Sequence, residues 1–350
     1  MIDILLSTDN HYVMPTGVLM ESIGINSPGE VCYHILVNES FSEESRKALI
    51  AEAGKFGSQC FFYVIGEEVT KDLPFGQENM PKHVSLATYY RLFIAKVLPE
   101  SLHRVLYLDG DMIVRKSLLP LWNEDLTGYA LGAVHDMDEP GNSQRMQFCG
   151  LHDYFNAGML LVNLDYWREH DCTEQFLNFI RQHGDKILFH DQDVLNGVLF
   201  DKVKCLPLTY NFQNGFILAP QHKRYDVARY QSEIDACKTD PAIIHYTVYN
   251  KPWNVACFHP YRDLWREYQK QTVWKNFRYE EPKPTKWIHY IRNFLFRYTS
   301  YVPKYDRTEY ESLRKDITKT ASFKEAMEDK RCGRIYQAEN AEDMFKQILG

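Results

Sequence analysis

Paired cysteines and long hydrophobic runs are both missing from this sequence. Its eight cysteines are scattered, with no C-x-x-C pair among them, which argues against a zinc site or a disulfide framework and favours reduced thiols in a cytosol. No apolar stretch approaches the roughly 20 residues that a membrane-spanning helix needs. The chain begins with an early acid, Asp3, in a short apolar run, whereas a secretory signal has a basic start and a longer apolar core. We therefore expect a cytoplasmic protein.

The sequence also lacks a surplus of positive charge and a glycine-rich dinucleotide loop. Its formal net charge is -7, which argues against nucleic-acid binding, because phosphate backbones are bound by clustered basic residues. No G-x-G-x-x-G follows the first predicted strand, so the dinucleotide fingerprint is absent. Hydrophobic residues nevertheless make up 45% of the chain and aromatic residues 14%. That share predicts a sizeable core rather than disorder.

Strands and helices alternate in the first part of the chain. Strands are predicted at Ile2 to Leu6, Val31 to Val37 and Cys60 to Ile65, with one helix after the first strand and another after Ser42. The Ser42 hydroxyl precedes two acids and predicts a capped helix N-terminus. Asp171, with Glu174 three residues later, predicts a second capped helix. This βαβαβ order predicts an α/β fold, a mostly parallel sheet with right-handed crossovers and helices on both faces.

The stretch from His103 to Asp111 gives the strongest chemical signal. Residues 105–108 form a short apolar run typical of a strand buried on both faces, and Gly110 follows between Asp109 and Asp111. Ligands of open α/β sheets bind at the carboxyl ends of the strands. Two carboxylates one residue apart on a turn can therefore face one divalent cation, or they can simply hydrogen-bond within the turn.

Other polar groups can reach the same edge of the sheet. His245 ends a short predicted strand, and the pair Asp191-Gln192 precedes an apolar run. Two carboxylates and an imidazole suit Mn²⁺ well and Mg²⁺ acceptably. Lys251, six residues after His245, adds a cation able to contact a diphosphate. Together these groups predict charge stabilisation of a departing nucleoside diphosphate.

Five motifs in order make the sequence resemble glycosyltransferase family 8, the retaining nucleotide-sugar transferases. The motifs are Thr8-Asp9 with Tyr12, the Ser85-to-Arg91 helix, Leu108-Asp109-Gly110-Asp111, Phe155-Asn156-Ala157-Gly158, and Asp191-Gln192-Asp193 with His245 through Trp253. The resemblance implies a nucleotide-sugar-binding, Rossmann-like fold of the GT-A type. It also implies metal-dependent, retaining transfer of glucose or galactose from a UDP-sugar to a glycan or lipid-linked glycan acceptor, in lipopolysaccharide or other cell-surface polysaccharide synthesis.

The resemblance implies a role for each motif residue. The residues that would hold Mn²⁺ against the UDP diphosphate are Asp109, Asp111 and His245, with Gly110 and Lys251 beside the nucleotide. Those that would bind uridine are Thr8, Asp9 and Tyr12, the last by stacking. Those that would surround the hexose are Arg91, Asp111, Asn156, Asp191 and Gln192, with Asp136 a further candidate. Asp191 and Gln192 are the catalytic candidates, which would position the sugar for a same-face reaction.

Structural roles for these residues, and two other function classes, stay open. Arg91 could form an ordinary ion pair and Asp191 a helix cap. Val248 stands where the family usually has a glycine, and His11 where asparagine is common, which leaves a non-catalytic sugar-nucleotide-binding protein as an alternative. The other is a haloacid-dehalogenase-like phosphohydrolase with Asp109 as its nucleophile, although such motifs usually continue with Gly-Thr.

Residues 283–304 differ in amino-acid composition from the rest of the chain. Basic residues alternate there with aromatic ones and no acid occurs, the basic residues being Lys283, Lys286, Arg292, Arg297 and Lys304. Such a mixture suits an anionic membrane interface, or a helix packed on the catalytic domain with its charges in water. We predict a catalytic domain over 1–265, a mainly helical extension over 266–350, and peripheral contact with the inner face of the membrane through 283–304.

Overall fold

A seven-stranded sheet forms the centre of the fold in the computed structural model, which describes residues 1–29, 31–66, 73, 86–151, 153–218, 227–247, 251–254, 257 and 259–279. The chain divides into two units. The first comprises residues 1–219, 224–247 and 271–275, and the second comprises 220–223, 248–270 and 276–350. Residues 283–304, and with them the predicted membrane contact, lie outside the described residues.

The strands alternate with helices along the chain, as the sequence predicts. The strands are β1 Ile2–Ser7, β2 Val31–Asn38, β3 Gln59–Ile65, β4 Arg104–Leu108, β5 Met112–Val114, β6 Leu131–His135, β7 Phe155–Asn163, β8 Val203–Cys205, β9 Phe212–Gln213 and β10 Ile243–His245. The α-helices are α1 Val13–Asn26, α2 Glu43–Gly54, α3 Ile94–Val97, α4 Leu119–Trp122, α5 Glu139–Arg145, α6 Leu164–Glu169, α7 Cys172–His183, α8 His190–Leu199, α9 Asn214–Leu218, α10 Gln231–Thr239 and α11 Arg262–Gln269.

The main sheet has the strand order β3-β2-β1-β4-β7-β6-β8. Strands β3, β2, β1 and β4 are parallel to one another, and β6 is parallel to β8. Only β7 runs the other way, antiparallel to both β4 and β6. The predicted mostly parallel α/β sheet is confirmed. The reversed β7 was not predicted, since an apolar run does not reveal the direction of its partner strand.

A second, three-stranded sheet has the order β5-β10-β9. β5 begins directly after the acidic turn at residues 109–111 and pairs antiparallel with β10, so that His245 lies opposite Met112. β9 pairs in parallel with β10 on its other side and brings Gln213 opposite His245. The small sheet therefore fixes the end of β10 beside the acidic turn, although the two segments are far apart in sequence.

Local predictions about helix ends had mixed outcomes. Ser42 caps α2 as predicted, because its hydroxyl accepts a hydrogen bond from the Ser45 N–H at 3.1 Å. The predicted Asp171 cap of α7 is wrong. Asp171 has a left-handed backbone with φ of 48° and its side chain makes no capping hydrogen bond; its carbonyl oxygen accepts from the Glu174 and Gln175 N–H groups instead.

Three other segments differ in detail from their predictions. The sequence predicts a helix from Ser85 to Ala95, and its described part is a 3₁₀ helix over Leu86–Phe93, which α3 follows. The sequence also predicts a short strand from Cys205 to Leu208, but the strand lies earlier, as β8. The predicted boundary after residue 265 falls within α11, and the two-domain assignment stays a prediction.

All seven described cysteines are free thiols, consistent with the reduced state that their spacing favours. Within the described ranges, no helix is both long enough and apolar enough to cross a membrane.

Candidate active site

Two aspartates and one histidine converge at the carboxyl end of β4. Asp109 and Asp111 follow the strand directly, and His245 is the last residue of β10. The His245 Nε2 atom lies 3.3 Å from Asp111 Oδ1 and 3.8 Å from Asp109 Oδ2. Each residue offers one ligand atom, and these three atoms all lie within 4.8 Å of one another. The structure therefore brings together the three predicted metal ligands.

The donor set at this turn fits a divalent cation. His245 Nδ1 lies 2.9 Å from the Asn211 Oδ1 atom, which can only accept, so this contact places the ring proton on Nδ1. Nε2 then faces the two carboxylates, and together the three atoms can bind a cation. Carboxylate oxygens and imidazole nitrogen are ligands that Mn²⁺ accepts well and Mg²⁺ less readily.

Glycines allow the side chains to approach this turn. A Cβ atom at Gly158, in β7, would lie 2.3 Å from His245 Cε1 and 2.9 Å from Asp109 Oδ2. A Cβ atom at Gly110 would lie 2.9 Å from the Thr16 hydroxyl and 3.1 Å from the Tyr12 ring. Both distances at Gly158 are shorter than real Cβ contacts, so any side chain there would push the histidine away from the aspartates.

Arg91 links the acidic turn to a second buried acid. Its Nη2 donates to Asp109 Oδ1 at 2.8 Å, and its Nε lies 3.0 Å from Asp191 Oδ2. The guanidinium is buried and stacks over the Tyr107 ring, 4.2 Å from its centroid. Burial alone would lower the pKa of Arg91, but the charges of Asp109 and Asp191 outweigh it and the pKa is raised. Arg91 is therefore a fixed cation and not a surface ion pair.

Asp191 lies in the first turn of α8 and is almost completely buried. Burial raises its pKa to about 7, against the opposing effect of Arg91. The Arg91 Nε–H points at the Thr88 carbonyl oxygen, 3.2 Å away. Asp191 Oδ2 thus accepts no hydrogen bond from any residue that the structure describes, although the arginine charge lies beside it.

Asn156, Gln192 and Asp136 form one buried hydrogen-bond network. The Asn156 Nδ2 donates to Asp136 Oδ2 and to Gln192 Oε1, each at 3.1 Å. Gln192 Nε2 lies 3.3 Å from both Asp136 Oδ2 and the Tyr154 hydroxyl. Burial raises the pKa of Asp136 against these hydrogen bonds. The network holds the predicted sugar-side residues in one orientation.

The first loop places Tyr12 toward the acidic turn. Asp9 Oδ1 accepts from the N–H groups of His11 and Tyr12, each at 2.9 Å, so this carboxylate folds the loop ahead of α1. Thr8 is buried, and its hydroxyl accepts from Thr16 at 2.9 Å. Burial, and then the charges of Asp111 and Asp109, raise the pKa of Tyr12, whose hydroxyl is hydrogen-bonded to Asp111. The uridine-binding role of these residues stays a prediction.

The structure does not test two further predicted features. Lys251 belongs to the second unit, and Val248 lies outside the described residues. The predicted phosphate contact of Lys251 therefore stays a prediction.

Asn211 is a site residue that the sequence did not reveal. Its Oδ1 accepts from His245, and its Nδ2 donates to Asn156 Oδ1 at 2.9 Å. It therefore connects the three-ligand cluster with the Asn156 network. Asn211 precedes β9, whose pairing with β10 brings it to the site. No motif marks it, because the pairing joins segments 34 residues apart.

Comparison with known proteins adds an independent observation. The model of the family described as "Glycosyl transferase family 8" matches residues 3–257. A putative glycosyltransferase of Haemophilus influenzae is 30% identical over 73% of this chain and 74% of its own length. The lipopolysaccharide glucosyltransferase WaaO of Escherichia coli is 26% identical over 86% of this chain and 87% of its own length. The crystal structure of the galactosyltransferase LgtC with donor and acceptor sugar analogues covers 83% of this chain and all of that one, with 28% identity and a TM-score of 0.68.

Proposed function

Because the chain belongs to glycosyltransferase family 8 and is a glycosyltransferase, we propose that it moves glucose or galactose from a UDP-sugar to a glycan or lipid-linked glycan, with retention at the anomeric carbon. The observation that carries the proposal is the cluster of Asp109, Asp111 and His245 beside the Arg91–Asp191 pair. Similar proteins named as a lipopolysaccharide glucosyltransferase and a galactosyltransferase support a role in building a cell-surface polysaccharide.

A divalent cation, Mn²⁺ by preference, would be held by Asp109, Asp111 and His245. When bound, it supplies positive charge that stabilises the diphosphate as the sugar leaves. The residues of the chain orient this site before any ligand arrives. Asn211 sets the proton of His245 on Nδ1, and Arg91 fixes Asp109 from the other side. Lys251 would add a second positive group at the phosphates.

The sugar would lie between Arg91 and the Asn156 network. Asp191 is almost completely buried and its Oδ2 faces the Arg91 Nε at 3.0 Å, so we assign this carboxylate to positioning and not to covalent attack. Gln192 would orient its neighbours. We therefore favour a same-face reaction in which the leaving phosphate helps to deprotonate the incoming hydroxyl.

The phosphohydrolase alternative is not favoured. Asp109 would have to attack phosphorus, yet its Oδ1 already accepts from Arg91 at 2.8 Å and from the Tyr107 hydroxyl at 2.7 Å. These two hydrogen bonds stabilise the carboxylate and reduce its reactivity. They suit a residue that holds a cation through its other oxygen.

A donor screen tests the proposal. UDP release from a series of UDP-hexoses would be measured with Mn²⁺, with and without candidate glycan acceptors. We expect one donor to give UDP release that an acceptor accelerates. Absence of release with every UDP-hexose and acceptor would contradict the proposed activity.

A binding measurement tests the metal ligands separately. Mn²⁺ and a UDP-hexose should together raise the melting temperature of the wild type, and Asp111→Asn should abolish that rise. Asp185→Asn removes an equal charge at an exposed position and should retain the effect. A full rise in the Asp111→Asn protein would count against the proposed cation site.

We also propose that the enzyme is cytoplasmic and associates with the inner face of the membrane. The basic and aromatic composition of residues 283–304 supports this location, since anionic lipids attract basic segments and aromatic rings suit the interface. A lipid-linked acceptor would be reached at the same surface.

A further inference from the structure

A second group of side chains of the types that bind metals lies at the amino ends of β1 and β2. Asp3 is the second residue of β1, and Cys32 and His34 are the second and fourth residues of β2. Their ligand atoms lie within 4.8 Å of one another. The acidic turn follows the other end of the parallel strands. About four residues of strand, or roughly 13 Å, separate the two groups.

The sheet itself holds these three side chains on one face. Asp3 lies opposite Cys32 in the parallel register of β1 and β2. His34 is two residues further along β2, and side chains two residues apart in a strand share a face. Cys32 and His34 are buried, whereas 21% of the Asp3 side chain is exposed. The arrangement is therefore rigid, with an opening at Asp3.

His34 has a polar partner at each of its ring nitrogens. Its Nε2 lies 3.0 Å from Asp3 Oδ1, and its Nδ1 lies 3.0 Å from the hydroxyl of Tyr63. Histidines that bind metals usually donate their other ring N–H to a fixed oxygen, which sets the tautomer. Because Asp3 Oδ1 can only accept, the Nε2–H donates to Asp3 in the metal-free protein and Nδ1 accepts from the Tyr63 hydroxyl. Binding of a cation to Nε2 requires the proton on Nδ1 instead, where the Tyr63 oxygen can accept it.

We propose that Asp3, Cys32 and His34 bind a transition-metal dication, with Zn²⁺ as the ion that this ligand set favours. A carboxylate, a thiolate and a neutral imidazole balance the two positive charges, so the complex is neutral and burial costs little. Zinc bond lengths near 2.0–2.3 Å place ligand atoms about 3.3–3.8 Å apart. Small side-chain rotations reach that spacing, and water completes the tetrahedron.

Burial and the nearby Asp3 carboxylate raise the pKa of the Cys32 thiol. The metal-free protein therefore keeps this thiol protonated, and metal uptake expels the proton to solvent. The bound ion would join β1 to β2 and stabilise the first unit. Because this site contains sulfur and the acidic turn does not, the two sites differ in the cations that they prefer.

Cobalt provides a probe that separates the two sites. Co²⁺ would be titrated into the metal-free full-length protein while the near-ultraviolet spectrum is recorded. A thiolate bound to Co²⁺ gives a charge-transfer band, which oxygen and nitrogen ligands do not give. We expect such a band to saturate at one Co²⁺ per chain, and Zn²⁺ to remove it.

Matched variants assign the band to its ligands. Cys32→Ser should lose it, and His34→Gln should weaken Co²⁺ binding at least tenfold. Cys60→Ser removes a cysteine that contacts Leu49 instead and should keep the band, as should Asp111→Asn in the acidic turn. Absence of the band in the wild type, or its persistence in Cys32→Ser, would overturn the proposal. The wild-type titration decides the question even if a variant fails to fold.

Discussion

At the scale of single residues, the acidic turn depends on the absence of a side chain at Gly158. The motif Phe155-Asn156-Ala157-Gly158 was noted in the sequence, but nothing in it said what the glycine does. The structure shows that its hydrogen atom occupies the space beside the His245 ring and the Asp109 carboxylate. This requirement depends on three segments meeting, so a local pattern could not supply it.

Replacing Gly158 by alanine should weaken the metal site. The added Cβ would lie 2.3 Å from His245 Cε1, so the imidazole must move away from the two aspartates. We expect the Mn²⁺ concentration that gives half-maximal activity to rise about tenfold or more. The measurement is a Mn²⁺ titration of UDP release. Gly54→Ala is the matched control, since a Cβ there would meet nothing within 4 Å; equal Mn²⁺ responses of the two variants would contradict the prediction.

The pH dependence of kcat/KM should show the ionisation of Asp191 near neutral pH. Burial raises its pKa to about 7, so the carboxylate that faces Arg91 forms only as the pH rises through that value. If the charged form positions the sugar, kcat/KM should increase up to about pH 7 and then level off. Asp191→Asn should lower kcat/KM and remove this rise, whereas Asp185→Asn should keep it. A rise that survives in Asp191→Asn would assign the ionisation to another group.

At the scale of elements, Lys55, Glu52 and Glu21 form a charge cluster that holds segment 271–275 on α1 and α2. Lys55 Nζ contacts Glu52 at 2.6 Å, Glu21 at 2.9 Å and the Gln271 carbonyl oxygen at 2.7 Å. The Val273 N–H donates to the other Glu52 oxygen at 3.3 Å. Burial raises the pKa of Glu52 to about 7, assisted by Glu21 and opposed by Lys55. A segment close to the C-terminal extension thus packs within the first unit.

Glu52→Gln should change how stability depends on pH. The folded-state pKa of Glu52 lies above the unfolded value near 4.5, so its contribution to stability is present below pH 4.5 and is lost as the pH rises through about 7. Glutamine cannot ionise. From pH 5 to pH 8 the variant should therefore gain on the order of 1 kcal/mol in free energy of unfolding relative to wild type, after allowance for solvent screening at Lys55.

Urea denaturation at the two pH values measures this difference. Glu43→Gln, at an exposed position of the same helix, controls for the loss of a carboxylate and should show no such gain. A constant difference between Glu52→Gln and wild type across this range would mean that Glu52 does not titrate there.

Sequence patterns predict the positions of strands and helices but not how the strands pair. The strands and the helices between them follow from apolar runs and capping residues such as Ser42. The partner and direction of β7 do not, because the apolar run is the same for either direction. Asn211 was missed for a related reason, since only the pairing of β9 with β10 brings it to His245. Asp171 does not cap α7, because its backbone is left-handed and its side chain makes no capping hydrogen bond.

At the scale of the whole molecule, the sequence predicted the α/β fold and the convergence of Asp109, Asp111 and His245. The acidic turn follows β4 at the carboxyl edge of the main sheet, as the pattern predicts. His245 reaches it through the second sheet, in which β10 pairs antiparallel with β5. The division of the chain is harder to predict. Residues 271–275 belong to the first unit although 248–270 belong to the second, and the chain enters and leaves a unit without any shift in composition.

The basic and aromatic stretch at 283–304 should attach the enzyme to anionic membranes. Full-length protein should sediment with vesicles that contain phosphatidylglycerol and not with neutral phosphatidylcholine vesicles. Added salt should release the protein, because salt screens the electrostatic attraction within about 10 Å at 0.1 M. A variant with glutamine at Lys283, Lys286, Arg292, Arg297 and Lys304 should lose most of this binding. The matched control carries glutamine at five exposed basic positions of the first unit, Lys47, Lys96, Lys116, Arg181 and Lys186, and so changes the net charge equally. Equal loss in both variants would mean that overall charge, and not this stretch, drives the binding.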